Sequence, residues 1–578
     1  MFYDIAIIGG GPAASTIGSL LKKYNSRLSV GIFEREDFPR DHVGESQLPG
    51  LMPVLAEMGV WEKVEAADFP VKIGGTYRWG KLDELWDFEF LPGDKFEDMP
   101  RPGKYAGQRR ETAFQVDRSI YDKVLLDHAK SLGCEVFEGT RVVDVQTSGD
   151  RVTGFTAEPY SDHSPLGEPQ QVTARHYVDA SGDVGLLRRA MGVEVDAPTA
   201  LKNIAIYDYW QDAEWAVTLG CGGTRIQVMS LGWGWIWFIP ITPTRTSIGL
   251  VVPAEYFKST GKSTEEIYRD AVASEPLISH LVRNATRENK LRATKDWSFI
   301  AQRLTGENWF LAGDACGFAD PILSAGLTLA QAGGRKVAYS ILELERGQFD
   351  ADWIKREYER SQSAQIRSHI QFADYWYTAN GRFTDLEDYC SEIARTAGLE
   401  LNSKDAFRWL AAGGFASEDP GVPRASTFRV GSLKFIEQLF SGSPVDWAIN
   451  RNNVFKLDLE GAERDRFAML VDGRIKPIEC YQRDGKVLPL ANVYSFVFAA
   501  LRKESDGVKL VDLTVSLILS QRRGFDPHVA RGFVMEALEA MIAEGWVAAS
   551  VNEQRPFLKF ILPEEGAMIH RNRDNVMV

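Results

Sequence analysis

Residues 2–8, Phe-Tyr-Asp-Ile-Ala-Ile-Ile, make an apolar run of strand length, and from Pro12 to Lys23 the apolar positions fall at helical period. A second β-rich run, Leu28 to Phe33, ends at Glu34. The pattern predicts a βαβ opening. Gly9-x-Gly11-x-x-Ala14 sits at its strand-to-helix junction, where small residues allow a tight turn and let backbone N–H groups approach a pyrophosphate. Glu34, closing the next strand, is placed to accept the ribose hydroxyls of an adenosine.

Helical periodicity returns over 118–132, β-rich runs follow at 134–157 and 171–178, and Val178-Asp179-Ala180-Ser181-Gly182 ends in a glycine turn. Residues 204–251 read as strands with a tryptophan-rich centre, 263–285 as helices, 308–314 as a strand ending in Gly313-Asp314, and 325–346 as a helix. The predicted fold is α/β. Residues 1–70, 110–195 and 290–346 form a discontinuous Rossmann-like domain, with a β-sheet substrate domain inserted at 71–109 and 196–289. Residues 347–578 read as a mostly helical C-terminal domain, winged-helix-like at 490–555, with a loop or linker at 417–423.

A chain of 578 residues is too long for one core. With 44% hydrophobic and 25% charged residues the composition is that of globular protein. Net charge is −14, and residues 401–578 carry 23 basic and 23 acidic side chains, so the excess acidity lies in the first 400 residues. Neither part has the basic footprint of a nucleic-acid binder. Five scattered cysteines without a CxxC pair argue against a zinc ribbon or disulfide framework, and eight histidines without an HExxH pair argue against a catalytic metal. No apolar run has the length of a membrane span and none opens the chain as a signal peptide would, so the expectation is a soluble cytoplasmic protein.

Three segments converge on one cofactor: the first turn, Arg118 after Phe114-Gln115-Val116-Asp117, and Gly313-Asp314. In this order they resemble the FAD fingerprint of the flavoprotein monooxygenase superfamily, which implies that Asp314 holds the ribityl chain. Further motifs narrow the resemblance. Gly234-Trp235-Ile236-Trp237-Phe238-Ile239-Pro240 contains the WxWxIP signature of flavin-dependent halogenases, Val71 to Gly80 resembles their lysine-bearing strand, and Gly44-Glu45-Ser46 their flavin-contacting loop. Asp314 to Gly326, with Asp320, Pro321 and Ser324, resembles the loop beside the isoalloxazine ring. The resemblance covers about residues 1–345 and is nearest to the chloramphenicol and chondrochloren branch.

The resemblance implies that reduced flavin and O₂ give a C4a-hydroperoxide, that halide attack releases hypohalous acid, and that Lys72 holds or traps this oxidant on its way to substrate. Trp235, Trp237, Ile239 and Pro240 then form a wall that keeps substrate from the flavin; without the resemblance the same alternating stripe reads as core packing. The amides of Ser324, Ala325 and Gly326 become the halide pocket. Leu323 stands where tryptophan halogenases carry a glutamate, which leaves Ser324 or Glu45 to assist the lysine. Gly9, Gly11, Ala14, Glu34, Arg40, Ser46, Arg118, Asp314 and Pro321 are the expected FAD contacts. Asp296, in Asp296-Trp297-Ser298, is either a carboxylate esterified to the flavin C8 methyl or a hydrogen-bonded strand-end residue.

No second dinucleotide turn is apparent for NAD(P)H, so reduced flavin is expected from a separate reductase. The implied substrate is an electron-rich aromatic or an activated acyl carbon, free or carrier-protein-tethered, in natural-product or antibiotic biosynthesis. Two rivals stand beside this reading: a hydroxylase of the same fold, and a flavin-binding interaction protein without catalysis.

Overall fold

The structure is a computed structural model that describes residues 1–80, 84–91, 95–97, 99–161, 164–220, 222–396, 424–425, 428–429, 447–521, 526–560 and 569–572. It contains two compact units, Met1–Ala397 with His570–Val578, and Gly398–Ile569.

The first unit contains a small three-stranded sheet, Val195–Asp196, Phe299–Ala301 and Gly317–Phe318, and is built on two large ones. In one, Phe2–Ile8 lies parallel to Val30–Phe33 and to Gln170–Asp179; Glu135–Phe137 and Trp309–Leu311 extend the parallel ladder on either side. Arg151–Ser161 and Thr140–Ser148 continue it antiparallel. Ile5, Ile7, Val30, Ile32, Val178 and Phe310 are all buried, the continuous apolar character of strands covered on both faces. Helices Pro12–Tyr24, Arg118–Ser131 and Gly326–Arg346 pack together beside this sheet. The central strands deliver Gly9, Ala180 and Ala312 to one edge, the carboxyl end at which α/β sheets bind ligands.

The second sheet has ten strands, with the central order Lys202–Gln211, Arg245–Pro253, Trp235–Pro240, Gly223–Ser230, Val71–Arg78, Trp86–Glu89. Arg292–Trp297 flanks the first of these. Strand alternation divides its side chains cleanly. Ile206, Met229, Ile236, Phe238, Ile248 and Leu250 meet Ile267, Tyr268, Leu277 and Ile278 from helices Thr264–Ser274 and Pro276–Leu281. The opposite face carries Trp235, Trp237 and Ile239, the two tryptophans paired in register with Ser230 and Val228.

An irregularity in this sheet decides where one side chain goes. Lys72 pairs with Thr224 but Gly74 pairs with Arg225, so one extra residue is inserted in the Val71–Arg78 strand. Such a bulge reverses the alternation on the strand that carries it. Lys72 therefore shares the face of Thr224, Ile226 and Val228, and Arg225 projects from the other.

The first unit extends through Ala397, so helix Ala351–Thr378, which the sequence pattern assigns to the C-terminal part, folds with the Rossmann-like domain. Its last turns are aromatic, and Trp376 packs on Tyr77, Trp79 and Trp86 at centroid separations of 5.6, 6.3 and 5.8 Å. In the second unit, helices Asn492–Leu501, Gly507–Gln521 and Pro527–Ala543 precede strand Val547–Ser550, which pairs with Val454–Leu457. A three-stranded antiparallel meander runs from Glu463 to Pro489. No helix among the described residues is long and apolar enough to cross a membrane.

Candidate active site

A cavity of about 820 Å³ opens at the carboxyl edge of the parallel strands and reaches the tryptophan face of the second sheet. Gly9 lies in it at φ +100°, and a Cβ there would stand 2.2 Å from the Ala180 carbonyl oxygen, so both backbone conformation and space require glycine. Gly11 caps helix Pro12–Tyr24 without a side-chain hydrogen bond, leaving first-turn amides for an anion. Ala14 is fully buried and lies off the cavity, where its size serves helix-on-strand packing.

Glu34 lines the cavity and accepts the Gly10 and Glu36 N–H groups at 2.6 and 2.9 Å. Arg40 lines it too, 3.7 Å from Asp122. The Arg118 guanidinium is committed within the protein: it donates to Asp122 at 2.6 and 2.8 Å and to the Val43 and Gly44 carbonyls at 3.1 Å each. It thus holds the 43–44 loop and presents positive charge to the cavity. Asp314 faces that charge; burial pushes its carboxyl up to about 6 while Arg118 pulls the other way. Pro321 and Ser46 complete this side, and the Ser46 hydroxyl is buried with no hydrogen-bond partner. A glycine cradle, an orphaned hydroxyl and a carboxylate opposite an arginine fit an FAD and its ribityl hydroxyls. Residue 296 pairs with Asn203 in the sheet, but its side chain lies outside what is described.

Trp235, Trp237 and Ile239 line the cavity from one strand; Pro240, also buried, ends the strand away from it. Each indole is fixed twice, by packing and by a hydrogen bond. The Trp237 ring covers Gly249, where a Cβ would come within 2.1 Å of it, and its Nε1–H donates to Ser247 Oγ at 3.1 Å. Trp235 Nε1–H donates to the Tyr377 hydroxyl at 2.7 Å.

Lys72 is 2% exposed and does not line the cavity. Its Nζ donates to the Gln47 carbonyl at 3.0 Å and stands 5.3 Å over the Phe90 ring. No carboxylate among the described residues pairs with it, and burial pulls its pKa down to about 7. Glu45 is also buried, on the cavity side, facing Ser247 and Tyr209, and burial pushes its carboxyl up to about 7. Of the three amides expected at the halide position, that of Ser324, a left-handed residue at φ +57°, is spent on the Pro321 carbonyl at 2.9 Å. Ala325 and Gly326 stand at the N-terminus of the 21-residue helix Gly326–Arg346, whose first amides and dipole favour an anion. The Thr328 hydroxyl nearby is buried without a partner.

Three parts of this site carry no expectation from the sequence. The glycine turn at Val178–Gly182 is visible as a pattern, and Ala180 to Val184 prove to line the cavity. Asp320 stands inside a recognised motif but its role is invisible there, because its partners Asn203 and Tyr377 are remote in sequence. Tyr377 reads only as one more aromatic on a helix.

The family model described as an FAD binding domain matches residues 3–373. The chain is 31% identical over 395 residues to the 1H-pyrrole-2-carbonyl-[peptidyl-carrier protein] chlorinase of Pseudomonas fluorescens, covering 66% of this chain and 85% of that protein. It is 31% identical over 427 residues to the tryptophan 2-halogenase of Chondromyces crocatus, covering 71% and 75%. Among solved structures, the chondrochloren halogenase CndH aligns with TM-score 0.59 and 28% identity over 76% of this chain and 96% of its own. The flavin-dependent halogenase CmlS shares the fold over 98% of both chains, with TM-score 0.69 and 24% identity. With a cavity shaped for FAD, a tryptophan face lining it and these relatives, the chain belongs to the flavin-dependent halogenases, FAD-using oxidoreductases that take halide and O₂.

Proposed function

We propose that this halogenase delivers hypohalous acid through Lys72 to an electron-rich aromatic substrate, free or tethered to a carrier protein, in cytoplasmic natural-product biosynthesis. The observation that carries the reading is Lys72 itself: a buried lysine with a carbonyl and an aromatic ring for company, on the sheet face that bears the tryptophans. Burying a cation without a counter-charge is costly. At a pKa of about 7 roughly half of such amines are neutral at pH 7, and the neutral amine has the lone pair that can accept the halogen of HOX, releasing water.

When bound, reduced FAD with O₂ and halide supplies that oxidant. The chain's residues do the rest. Gly9, Gly11, Glu34, Arg40, Ser46, Asp314 and Pro321 hold the cofactor, and the amides at Ala325 and Gly326 receive the halide. Trp235, Trp237 and Ile239 keep the substrate out of the flavin cavity. Glu45, poised near neutrality between the cavity and Ser247, holds or gives up a proton. The rings of Tyr77, Trp86, Phe88, Phe90 and Trp376 surround the Lys72 side of the sheet with π-faces, which suits a flat substrate. The chlorinase from Pseudomonas fluorescens is named for a pyrrole on a carrier protein, which favours testing that form first. A separate NAD(P)H-dependent reductase supplies reduced flavin.

Purified protein is given FAD, an unrelated NADH flavin reductase, chloride or bromide, and a panel of phenols, pyrroles and a pyrrolyl-loaded carrier protein, with products read by mass spectrometry. Halide-dependent halogenated product is expected. Hydroxylated product formed equally without halide would overturn the reading.

A further inference from the structure

The first unit contains a buried polar cluster that adjoins the flavin cavity, where helix Ala351–Thr378 reaches the tryptophan wall. Its centre is the Tyr377 hydroxyl. That group accepts from Trp235 Nε1–H at 2.7 Å and from Asn203 Nδ2–H at 3.2 Å, and donates to Asp320 Oδ1 at 3.4 Å. One donor and two acceptor sites are all that a phenol has, so the geometry uses it fully. Asp320 Oδ1 also takes the Ile322 N–H at 2.9 Å, and Oδ2 takes Asn203 Nδ2–H at 3.3 Å. Asn203 in turn accepts from the Tyr389 hydroxyl at 3.0 Å.

Two ends of this cluster belong to the reaction site. Trp235 is part of the wall, and Asp320 caps the turn Pro321–Leu323 that leads to the halide amides; both line the FAD cavity. Tyr377 is not among the residues that line the cavity, and its hydroxyl joins these two that are. Among the described residues no ion pair holds Asp320, and burial pushes its carboxyl up to about 7; Asp374, one turn before Tyr377 and hydrogen-bonded to Thr199, is pushed up to about 8. Position here is thus set by neutral donors, of which Tyr377 is the one that bridges wall and loop.

We infer that Tyr377 is a positioning residue for halogenation, the clamp that fixes the Trp235 indole against the Asp320 loop and so keeps oxidant and substrate on their proper sides of the wall. The inference rests on the wall reading proposed above. Loss of the hydroxyl leaves a buried indole N–H and an aspartate lone pair without their partner, and the wall loses its orientation before it loses its packing, because the phenylalanine ring still fills the space.

The test measures halogenated product per reduced flavin oxidised, with peroxide and hydroxylated product counted in the same reactions, for wild type, Tyr377→Phe, Trp235→Ala and Trp235→Phe. Tyr377→Phe is expected to bind FAD and oxidise reduced flavin as wild type does, while the product ratio falls about tenfold in favour of peroxide. Trp235→Phe is expected to lower the ratio similarly, and the double variant Tyr377→Phe/Trp235→Phe no further, since the effect on the ratio runs through the Trp235–Tyr377 hydrogen bond that both variants remove. A tyrosine serving only the fold would lower melting temperature and total activity together and leave the ratio untouched; that result overturns the inference. If Trp235→Ala itself leaves the ratio unchanged, the wall reading fails instead.

Discussion

Two buried cations sit almost side by side on adjacent strands of the same sheet, and they are treated oppositely. Arg225 projects from one face into a nest of acid: it pairs with Glu89 and, at 3.4 Å, with Asp87, which also takes the Thr76 hydroxyl at 2.6 Å and the Asn572 amide at 3.0 and 3.1 Å. Lys72, turned by the bulge to the other face, receives one carbonyl and an aromatic ring. Both are within a few per cent of complete burial. A chain that neutralises one buried cation with two carboxylates has the means to neutralise the other. Among the described residues no carboxylate offsets Lys72, and under the proposed mechanism this difference separates a structural cation from a reactive amine.

The contrast breaks most visibly at the lysine. Lys72→Met is expected to abolish halogenated product, by at least about 100-fold, while FAD content and reduced-flavin oxidation stay at wild-type levels. The same variant is expected to melt higher than wild type at pH 7, because it removes a cation whose pKa falls from 10.5 to about 7 on burial. The sign follows from proton binding: between these values the unfolded chain holds more protons at this site than the folded one. Lys72 therefore destabilises the fold increasingly as pH drops from about 10 toward 7, and the gap in melting temperature between variant and wild type should close as pH is raised.

Arg225→Met is expected to do the opposite, costing about 3–5 kcal/mol in a denaturant melt because Glu89 and Asp87 are left buried without their cation. A gain in stability there would erase the contrast. Gly249→Ala drives a Cβ into the Trp237 ring and is expected to cost about 1–3 kcal/mol and to shift product toward peroxide. Asp314→Asn is the mildest change, expected to weaken FAD retention in equilibrium dialysis by about tenfold with the fold intact.

The cofactor half of this account is legible in the sequence, because turns are local. Gly9 and Gly11 announce themselves by spacing, Gly313-Asp314 is seen as a strand-end turn whose cofactor role comes from the resemblance, and the Trp235–Trp237–Ile239 stripe follows from the period of a strand. The Lys72 half is legible only by resemblance. Strict alternation from Tyr77 back to Lys72 would set the lysine on the Arg225 face, and the inserted residue that reverses it arises from pairing with Thr224 and Arg225, far along the chain. Helix Ala351–Thr378 shows its amphipathic pattern but not its destination; the hydrogen bond from Trp235 to Tyr377 spans 142 positions, and no local signal encodes it.

Lys72→Arg tests the central claim most directly, because it keeps the cation and removes the neutral amine. Halogenated product per reduced flavin oxidised is measured for wild type and Lys72→Arg between about pH 6 and 9. The account predicts a wild-type ratio that rises as pH passes through about 7, following the neutral form of Lys72, and no halogenated product from Lys72→Arg at any pH despite normal flavin oxidation. Wild-type yield from Lys72→Arg would contradict it.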